Sequence, residues 1–526
     1  MKGGNGMVRK SPSEHVFVLT LPLQCETWQR DRLDTIFQVG NDIKNKLIAY
    51  ERKQYENLTS RKDWKANQAA LADAYAAKDE FLIKSLCERR NEILSAAGFE
   101  KYQFEKQVNK YRKHYRGKDG KGYIIPIHVA QKISASVWDG YQKLLYGNGK
   151  QVRFSKWSEF TTMTAKTNTT GIRYTDGFVC FNGMKLKVHF DEKDPYLYQS
   201  EAMTRTIRYC GIQRRWYANG WKYFVQLTLD GLPPVKVKPE TGELLHPIGN
   251  GRVGHDIGTQ TIASVGNDNV LFAELADKVH GIDVELRRIN RAMDRSRRAT
   301  NPKMFSQDGS IVPKDKLPAT CLNSRGGRQW VKSKNYLRLE SQRRELFRHQ
   351  REMRVQQHNE LANYLLSFGN EHYIEGMHFR ALAKKAKETK TNSKGKFISK
   401  KRFGKSISNK APALFVKTLE RKVLNAGASF KKVDTFSVKA SQFNHLTETF
   451  TKKNLSKRWN TMPDGTKVQR DLYSAFLVQN VDTTLKKVDV NLCDQSYNSF
   501  LQLHNKEVQR LSSLITPNSM GMKHIA

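Results

Sequence analysis

The sequence is short of paired cysteines, acidic residues and long apolar runs. Its six cysteines lie far apart and none belongs to a C-x-x-C pair, which argues against a disulfide framework and against a zinc site built from neighbouring cysteines. No apolar run reaches membrane-spanning length, and the N-terminus has no cleavable signal pattern. These absences predict a cytoplasmic protein of the reducing bacterial cytosol or nucleoid.

Several catalytic signatures are missing as well. The stretch from Gly147 to Lys150 lacks the spacing of a P-loop. No His-X-His pair occurs, which argues against a tyrosine-type HUH transposase, and there is no HNH nuclease pattern. A nuclease built on this chain would therefore have to use another kind of centre.

The charge of the chain is strongly one-sided. Lys and Arg number 91 against 51 Asp and Glu, which gives a formal net charge of +40 over 526 residues. The excess positive charges repel one another on an isolated globular protein. They therefore predict a polyanionic partner, most simply nucleic acid. A solubility or membrane-surface role for the charge is the alternative. The interleaving of basic residues with 10% aromatics favours nucleic acid.

Changes of pattern along the chain predict a multidomain α+β protein. Residues 1–14 are polar and Gly-rich, which predicts a disordered arm. Residues 15–23 have the composition of a strand, and residues 24–149 are mostly helical in pattern. Residues 150–250 contain short strands with turns, and we expect the N-terminal strand to join them in one β-barrel. The helical module is then an insertion in that barrel, and residues 251–526 form the last domain.

The strand-rich region alternates basic and aromatic residues. Ala218-Asn219-Gly220 predicts a hairpin turn, because Asn-Gly accepts positive φ at both turn positions. A period of two puts the basic and aromatic sets largely on opposite faces of a strand. We expect the aromatics to form the core of the barrel and the basic side chains to contact phosphates. The residues assigned to phosphate contacts here are Arg205, Arg208, Arg214 and Arg215.

The last domain has the element order of a ribonuclease H-like fold: three strands, helix, strand, helix, strand, helix. The predicted strands are residues 252–257, 260–266, 269–274, 372–377 and 430–438, and the predicted helices are residues 277–298, 330–368, 411–426 and one that starts near Gln469.

Three carboxylates occupy corresponding positions in that order. Asp256 ends the first strand, Glu375 ends the fourth and Asp471 opens the last helix. They are 119 and 96 residues apart, so only the fold can bring them together. Oxygen ligands of this kind suit two Mg²⁺ or Mn²⁺ ions and argue against zinc. Clustered carboxylates that hold two such ions roughly 3.5–4 Å apart catalyse phosphodiester hydrolysis.

Each acid also has a plainer interpretation. Asp256 precedes Gly258 in an Asp-X-Gly turn, which is common turn chemistry. Glu375 could be a solvated residue at a strand end. Asp471 could be a partner of the helix dipole. Their joint placement in the order of the fold favours a metal centre.

The motifs around these acids resemble those of a known family. DIGTQTIASV, YIEGM and QRDLYSAFLV are similar to the three RuvC motifs of TnpB proteins, transposon-encoded RNA-guided DNA nucleases, and of the compact type V CRISPR effectors. The layout is similar as well: a wedge-like barrel (15–23 plus 150–250), an inserted recognition module (24–149) and a RuvC nuclease domain (251–526). The resemblance implies that Asp256, Glu375 and Asp471 are the catalytic metal ligands. It also implies guide RNA and double-stranded target DNA as partners.

The chain departs from the family pattern in two places. The family usually carries a zinc ribbon of two C-x-x-C pairs before the third motif, whereas residues 437–468 contain no cysteine, so no zinc is predicted. The position after Asp471 and Leu472 usually holds Asn in the family and is Tyr473 here.

A basic stretch follows the second motif. Residues 380–405 hold eleven Lys or Arg against one acid, Glu388. A charged loop is the plainer interpretation, but beside a nuclease centre such a loop also guides strands by neutralising phosphates. Residues 406–413 resemble the segment that gates the site in the family. The residues assigned to nucleic-acid contacts here are Lys384, Lys385, Lys400, Lys401 and Arg402.

The resulting hypothesis is a metal-dependent, RNA-guided DNA endonuclease with a single RuvC site. Guide pairing would select the target, and the protein would read a short flanking motif. Two alternatives stay open. One is an RNA-guided DNA-binding protein or repressor with little or no cleavage. The other is a ribonuclease H-like transposase or junction resolvase, which would not need the barrel and its helical insertion.

Overall fold

The structure is a computed structural model of the whole chain. The chain divides into two compact units, residues 1–234 and residues 235–526. The predicted disordered arm and the basic residues Lys400, Lys401 and Arg402 lie outside the described residues. The described residues are 15–113, 122, 124–147, 149–218, 220–324, 326–385, 388–392, 395, 397, 403–452, 454 and 456–522.

The first unit begins with one strand that is followed by five helices. Leu33, Ile36 and Phe37 of the first helix are fully buried, as their helical spacing predicts. The elements in chain order are β1 (Val16–Gln24), α1 (Thr27–Ser60), α2 (Lys62–Ala77), α3 (Glu80–Ala96), α4 (Lys101–Lys113), α5 (Ile127–Leu145), β2 (Thr162–Thr164), β3 (Arg173–Thr175), β4 (Phe178–Phe181), β5 (Met184–Val188), α6 (Tyr198–Met203), β6 (Ile207–Tyr217) and β7 (Gly220–Asp230).

The seven strands of this unit form one antiparallel sheet in the order β2-β6-β7-β1-β5-β4-β3. Strand β1 lies in the middle, paired with β7 on one side and β5 on the other. Its residues alternate, with Phe17, Leu19 and Leu21 buried and Val16 and Val18 exposed. The sheet is open, because β2 and β3 are its unpaired edge strands among the described residues. The predicted barrel is therefore a curled half-barrel.

Within residues 150–250, the sequence RFSKWSEF (residues 153–160) predicts one of the short strands, and this prediction is wrong. Residues 153–160 form a loop with a single 3₁₀ turn, Trp157–Glu159. The reason is local: the side chain of Asn45 accepts a hydrogen bond from Ser155 N (2.7 Å) and donates one to Ser155 O (2.9 Å). Because a side chain satisfies these backbone groups, Ser155 needs no neighbouring strand.

The second unit contains a five-stranded sheet with helices on both faces. No helix in the described part of the chain is both long and apolar enough to cross a membrane. The elements are β8 (Arg252–Ile257), β9 (Thr261–Val265), β10 (Val270–Glu274), α7 (Val279–Thr300), α8 (Lys334–Leu366), β11 (Glu371–Glu375), α9 (Phe379–Leu382), α10 (Gly404–Lys410), α11 (Pro412–Asn425), β12 (Ser429–Val433), α12 (Thr435–Val438), β13 (Phe443–Asn444), β14 (Thr449–Phe450), β15 (Trp459–Thr461), β16 (Lys467–Gln469), α13 (Arg470–Gln479) and α14 (Val490–Ser512).

The main sheet of this unit has the order β10-β9-β8-β11-β12. The first three strands are antiparallel neighbours, and β11 pairs parallel with both β8 and β12. Separate hydrophobic cores cover the two faces: Phe415 of α11 belongs to one, and Phe476 of α13 belongs to the other. Nearly every residue of α13 is buried, so this helix is an internal element of the unit.

Two predictions for the end of the chain need correction. The strand expected at 430–438 ends at Val433, because Asp434 accepts a hydrogen bond from Phe436 N (3.0 Å) and caps the short helix α12. The helix that starts near Gln469 is not the last one, since α14 follows it with 23 residues. Residues 437–468, where the resembled family carries its zinc ribbon, contain the two small hairpins β13–β14 and β15–β16.

A buried hydrogen-bonded pair joins the two central strands. His255 Nε2 of β8 lies 2.9 Å from His372 Nδ1 of β11, and both side chains are fully buried. The outer nitrogens are also satisfied, by Ser264 Oγ at 2.8 Å and by the carbonyl of Gly369 at 3.0 Å. Burial lowers the pKa of His372 to about 4, so the pair is neutral at physiological pH. A slip of one strand would leave these groups unpaired, which fixes the register of β8 against β11.

Candidate functional site

Asp256 and Glu375 lie side by side at the same end of the sheet. In the parallel pairing of β8 and β11, Ile374 is the partner of His255, so the next residue of each strand is one of the two acids. Both side chains are half-buried. The sequence predicts both acids at strand ends, and the register of β8 against β11 makes them neighbours.

Asp471 reaches the same place through a close backbone contact. A Cβ on Gly254 would lie 2.0 Å from Ala475 O and 2.3 Å from Gln479 N, so the backbone of α13 rests directly on β8 at this glycine. Residues four apart lie on one face of a helix, which makes Asp471 the next residue of the stripe formed by Ala475 and Gln479. That stripe continues over β8 towards Asp256.

The pKa of Asp256 responds to its burial and to both of the other acids. Burial raises the pKa of Asp256 well above its usual range, and the negative charges of Asp471 and then Glu375 raise it further. The Arg470 guanidinium and the Ser474 hydroxyl oppose this shift without cancelling it. Burial also raises the pKa of Glu375, although Ala440 N donates to its Oε1 at 3.3 Å. The surroundings of Asp256 and Glu375 thus disfavour the charged forms of both carboxyl groups.

Two arginines supply the counter-charge for Asp471. Its Oδ1 accepts from Arg470 Nε (3.0 Å) and from the Arg470 terminal nitrogen (2.9 Å), and its Oδ2 lies 3.7 Å from Arg458. The Asp471 and Arg470 side chains are only 16% and 11% exposed, so this is a largely desolvated ion pair. Sequence reasoning missed Arg470, although an arginine directly before the predicted acid was a visible signal.

The donor set suits a hard divalent cation. All three groups are carboxylates, which are ligands for Mg²⁺ or Mn²⁺. A bound cation would favour the charged form of Asp256, which burial disfavours first and the charges of Asp471 and Glu375 disfavour second. Within the described ranges, no three His, Cys, Asp or Glu side chains are already arranged around a metal position. The Asp471 carboxylate is engaged by the Arg470 guanidinium.

Tyr473, the departure from the family pattern, is a buried tether. Its hydroxyl oxygen accepts from His445 N (3.1 Å) and lies 2.6 Å from His445 Nδ1. Both side chains are buried, and they pack with Phe476 and Tyr497 in one aromatic cluster. Tyr473 thereby fixes the segment 437–468 to α13, two residues after Asp471.

The expectation that the arginines of the sheet are free for phosphates fails for Arg214. Its side chain is buried, and its guanidinium lies 3.4 Å from the ring centre of Trp157 and 4.2 Å from that of Trp221. It donates to the carbonyls of Trp157 (2.6 Å) and Phe160 (3.1 Å). Arg214 is therefore a core residue, in phase with the buried Ile212 two positions earlier.

The other predicted contacts lie nearer the surface. Arg205 is exposed and pairs with Glu201 at 3.0 Å, and Arg208 is half-buried and pairs with Asp230. Arg215 donates to Gln213 at 2.7 Å. Lys384 and Lys385 are exposed.

Comparisons with known proteins find similar solved structures, all at low similarity. No protein-family model and no curated protein matches it. A Cas12f1–sgRNA–target DNA complex superimposes with a TM-score of 0.39 at 9% identity, covering 88% of this chain and 98% of that one. A CRISPR–Cas12f ternary complex gives 0.24 at 12% identity over 88% and 99% of the two chains. A Cas12i1 R-loop complex gives 0.23 at 10% identity over 91% and 64%. Because these values are low, we infer function from the residues of this chain.

Gly254→Ala tests the contact that positions Asp471. The added Cβ overlaps backbone atoms of α13, which cannot rotate away as a side chain could, so we expect a loss of about 1–3 kcal/mol or more in the free energy of unfolding. Urea titration followed by circular dichroism measures it. Gly281→Ala in α7 is the matched control, because its Cβ meets no atom within 4 Å, and it should be neutral or stabilising by up to about 1 kcal/mol. Equal effects of the two changes would contradict the close contact.

Tyr473→Phe tests the tether. The lost hydroxyl leaves the buried His445 N–H without a partner, so we expect a cost of about 1–3 kcal/mol in the same urea titration. Tyr497→Phe is the control from the same aromatic cluster, because the buried Tyr497 hydroxyl has no hydrogen-bond partner and its removal should be nearly neutral. A neutral Tyr473→Phe would show that the hydroxyl does not hold the segment.

Proposed function

We propose that this chain is an RNA-guided DNA endonuclease that hydrolyses phosphodiester bonds of target DNA at a single RuvC-type centre. The observation that carries the proposal is the convergence of Asp256, Glu375 and Asp471, which come from distant parts of the chain, at one end of one sheet. A largely desolvated cluster of like charges is costly to a fold. Such clusters are characteristic of sites where function requires the charge.

The topology supports a nuclease domain of the ribonuclease H class. The sheet order β10-β9-β8-β11-β12, with the first three strands antiparallel and the last two parallel to β8, is the arrangement expected for that class. In it the acids of the first and fourth strands become neighbours. The proposed domains are residues 15–23 with 150–250, residues 24–149, and residues 251–526, although residues 235–250 belong to the second compact unit of the structure.

The roles of the side chains follow from their places. Asp256, Glu375 and Asp471 would hold the divalent cations, Mg²⁺ or Mn²⁺. Cations bound by such a cluster activate a water molecule and stabilise the leaving oxygen of a phosphodiester. Arg470 holds Asp471 through its guanidinium, and its positive charge next to the acids also attracts the phosphate backbone. Tyr473 and the contact at Gly254 keep α13 in place while the acids bind their ligands.

Guide RNA and double-stranded target DNA are the proposed partners. The net charge of +40 supplies the attraction for two polyanions. Arg205, Arg208 and Arg215 of the first unit remain proposed phosphate contacts, as do Lys384 and Lys385 beside the nuclease centre. For Arg208 this requires exchange of its ion pair with Asp230 for a phosphate. With a single centre, the two DNA strands would be cut in turn.

A second candidate is an RNA-guided DNA-binding protein that does not cut. One observation favours it: Asp471 is engaged by Arg470, and the described acids are not already arranged around a metal position. In a nuclease that ion pair must open when cations bind, whereas in a binding protein it would persist.

Asp256→Ala separates the two candidates. The protein is purified with its co-expressed RNA and incubated with matching or mismatched DNA and Mg²⁺. We expect cleavage of the matching DNA that falls by a factor of at least about 10² in the variant, because one of the three proposed cation ligands is lost. Asp268→Ala, in the exposed turn between β9 and β10, is the control and should cut normally.

The other outcomes of this experiment decide against the proposal. Guide-dependent binding by the wild-type protein without cutting would support the second candidate. Cutting or strand transfer without RNA would point to a transposase. Unchanged cleavage by Asp256→Ala would remove the carboxylate centre from the reaction.

A further inference from the structure

Beside the carboxylates, the second unit exposes two phenylalanine rings. Phe436 of α12 is 82% exposed and Phe450 of β14 is 55% exposed. Lys439 lies between them in the chain, and its ammonium lies 5.8 Å from the Phe450 ring centre. We call Phe436, Lys439 and Phe450 the aromatic surface.

The backbone that carries this surface is fixed to the strand of Glu375. Thr435 Oγ1 accepts from Gly376 N at 3.0 Å, and Ala440 N donates to Glu375 Oε1 at 3.3 Å. Phe436 and Lys439 lie between these two tethers. Since neighbouring Cα atoms are about 3.8 Å apart, the Cα of Phe436 lies within about 10 Å of Gly376 N. The exposed ring is thus held close to the candidate centre by a short, capped helix.

The residues around the two phenylalanine rings indicate which kind of molecule binds there. An exposed aromatic ring could contact an apolar protein partner, but such a partner would have to desolvate the exposed Lys439 ammonium beside the Phe450 ring. Rings alternating with basic groups are instead the arrangement that binds single-stranded nucleic acid, because bases stack on the rings while phosphates meet the cations. In a duplex the bases stack on one another, so their faces are not free for stacking on protein rings.

We propose that the aromatic surface binds single-stranded DNA next to the carboxylate centre. The Phe436 ring stacks on an unpaired base, and Lys439 contacts the neighbouring phosphate. The inference rests on the proposed nuclease function, which requires an unpaired strand to approach the acids, and it adds the residues that position that strand. Phe436 acts as a positioning residue, since it holds a base and not the reacting atoms.

The test measures binding without cleavage. The protein with its co-expressed RNA is titrated in EDTA against a fluorescein-labelled oligodeoxythymidylate, and against an oligonucleotide of the same length with abasic positions. Stacking contributes about 1–3 kcal/mol per base, so Phe436→Ala should weaken binding of the thymidylate about five-fold or more. Binding of the abasic strand should not change, because it has no base to stack.

Two further variants separate stacking from simple apolar contact. Phe436→Trp keeps a flat ring and should bind the thymidylate like the wild type, whereas Phe436→Leu keeps an apolar side chain without a ring and should bind as weakly as Phe436→Ala. Phe347→Ala removes an exposed phenylalanine from α8 and is the control that should leave binding unchanged.

The following results would overturn the inference: an equal loss on both oligonucleotides, no loss in Phe436→Ala, or wild-type binding by Phe436→Leu. A base-dependent loss seen only with single-stranded RNA would replace DNA by RNA as the occupant and overturn it as well. If wild-type protein fails to cut in Mg²⁺ while the base-dependent loss on DNA persists, the proposed nuclease function fails and the single-strand site stands.

Discussion

The contact between the backbone of α13 and strand β8 at Gly254 is the constraint on which the rest of the site depends. Only a residue without a side chain lets the helix lie this close, and only this closeness brings Asp471 over the end of β8. The register of β8 and β11, fixed in part by the buried His255–His372 pair, adds Glu375 beside Asp256. Backbone geometry thus assembles three carboxyl groups whose negative charges repel one another.

That assembly has an electrostatic cost. The raised pKa values of Asp256 and Glu375 mean that the folded protein holds these acids in their charged form less readily than water does. Arg470 and Arg458 offset part of the cost at Asp471. Functional sites commonly combine such local instability with strong support from their surroundings. Here the buried helix α13 and the Tyr473–His445 tether provide the support.

The sequence predicted the order of the strands along the chain and the positions of Asp256 and Glu375 at strand ends, because both depend on local patterns. Asp256 and Glu375 follow short apolar runs. The parallel pairing of β8 with β11 then makes the two acids neighbours. Other features depend on contacts that no local pattern contains. The loop at 153–160 exists because the distant Asn45 binds the backbone of Ser155. Arg214 is buried because Trp157 and Trp221 enclose its guanidinium, and alternation within a strand cannot say which face is enclosed. The role of Tyr473 likewise depends on His445, 28 residues earlier.

The central claim is that the three carboxylates form a charged cluster that a divalent cation relieves, and stability with and without Mg²⁺ tests it most directly. A carboxyl whose pKa is raised on folding adds to stability below its unfolded pKa, and that contribution is lost as the pH rises through the folded value. In EDTA at pH 7.5, Asp256→Asn should therefore be more stable to urea than the wild type, by about 0.5–2 kcal/mol. Mg²⁺ at about ten times its Kd should raise the wild-type stability by about 1.4 kcal/mol and leave the variant nearly unchanged. An Asn variant that is less stable in EDTA, or that gains as much from Mg²⁺ as the wild type, would contradict the account.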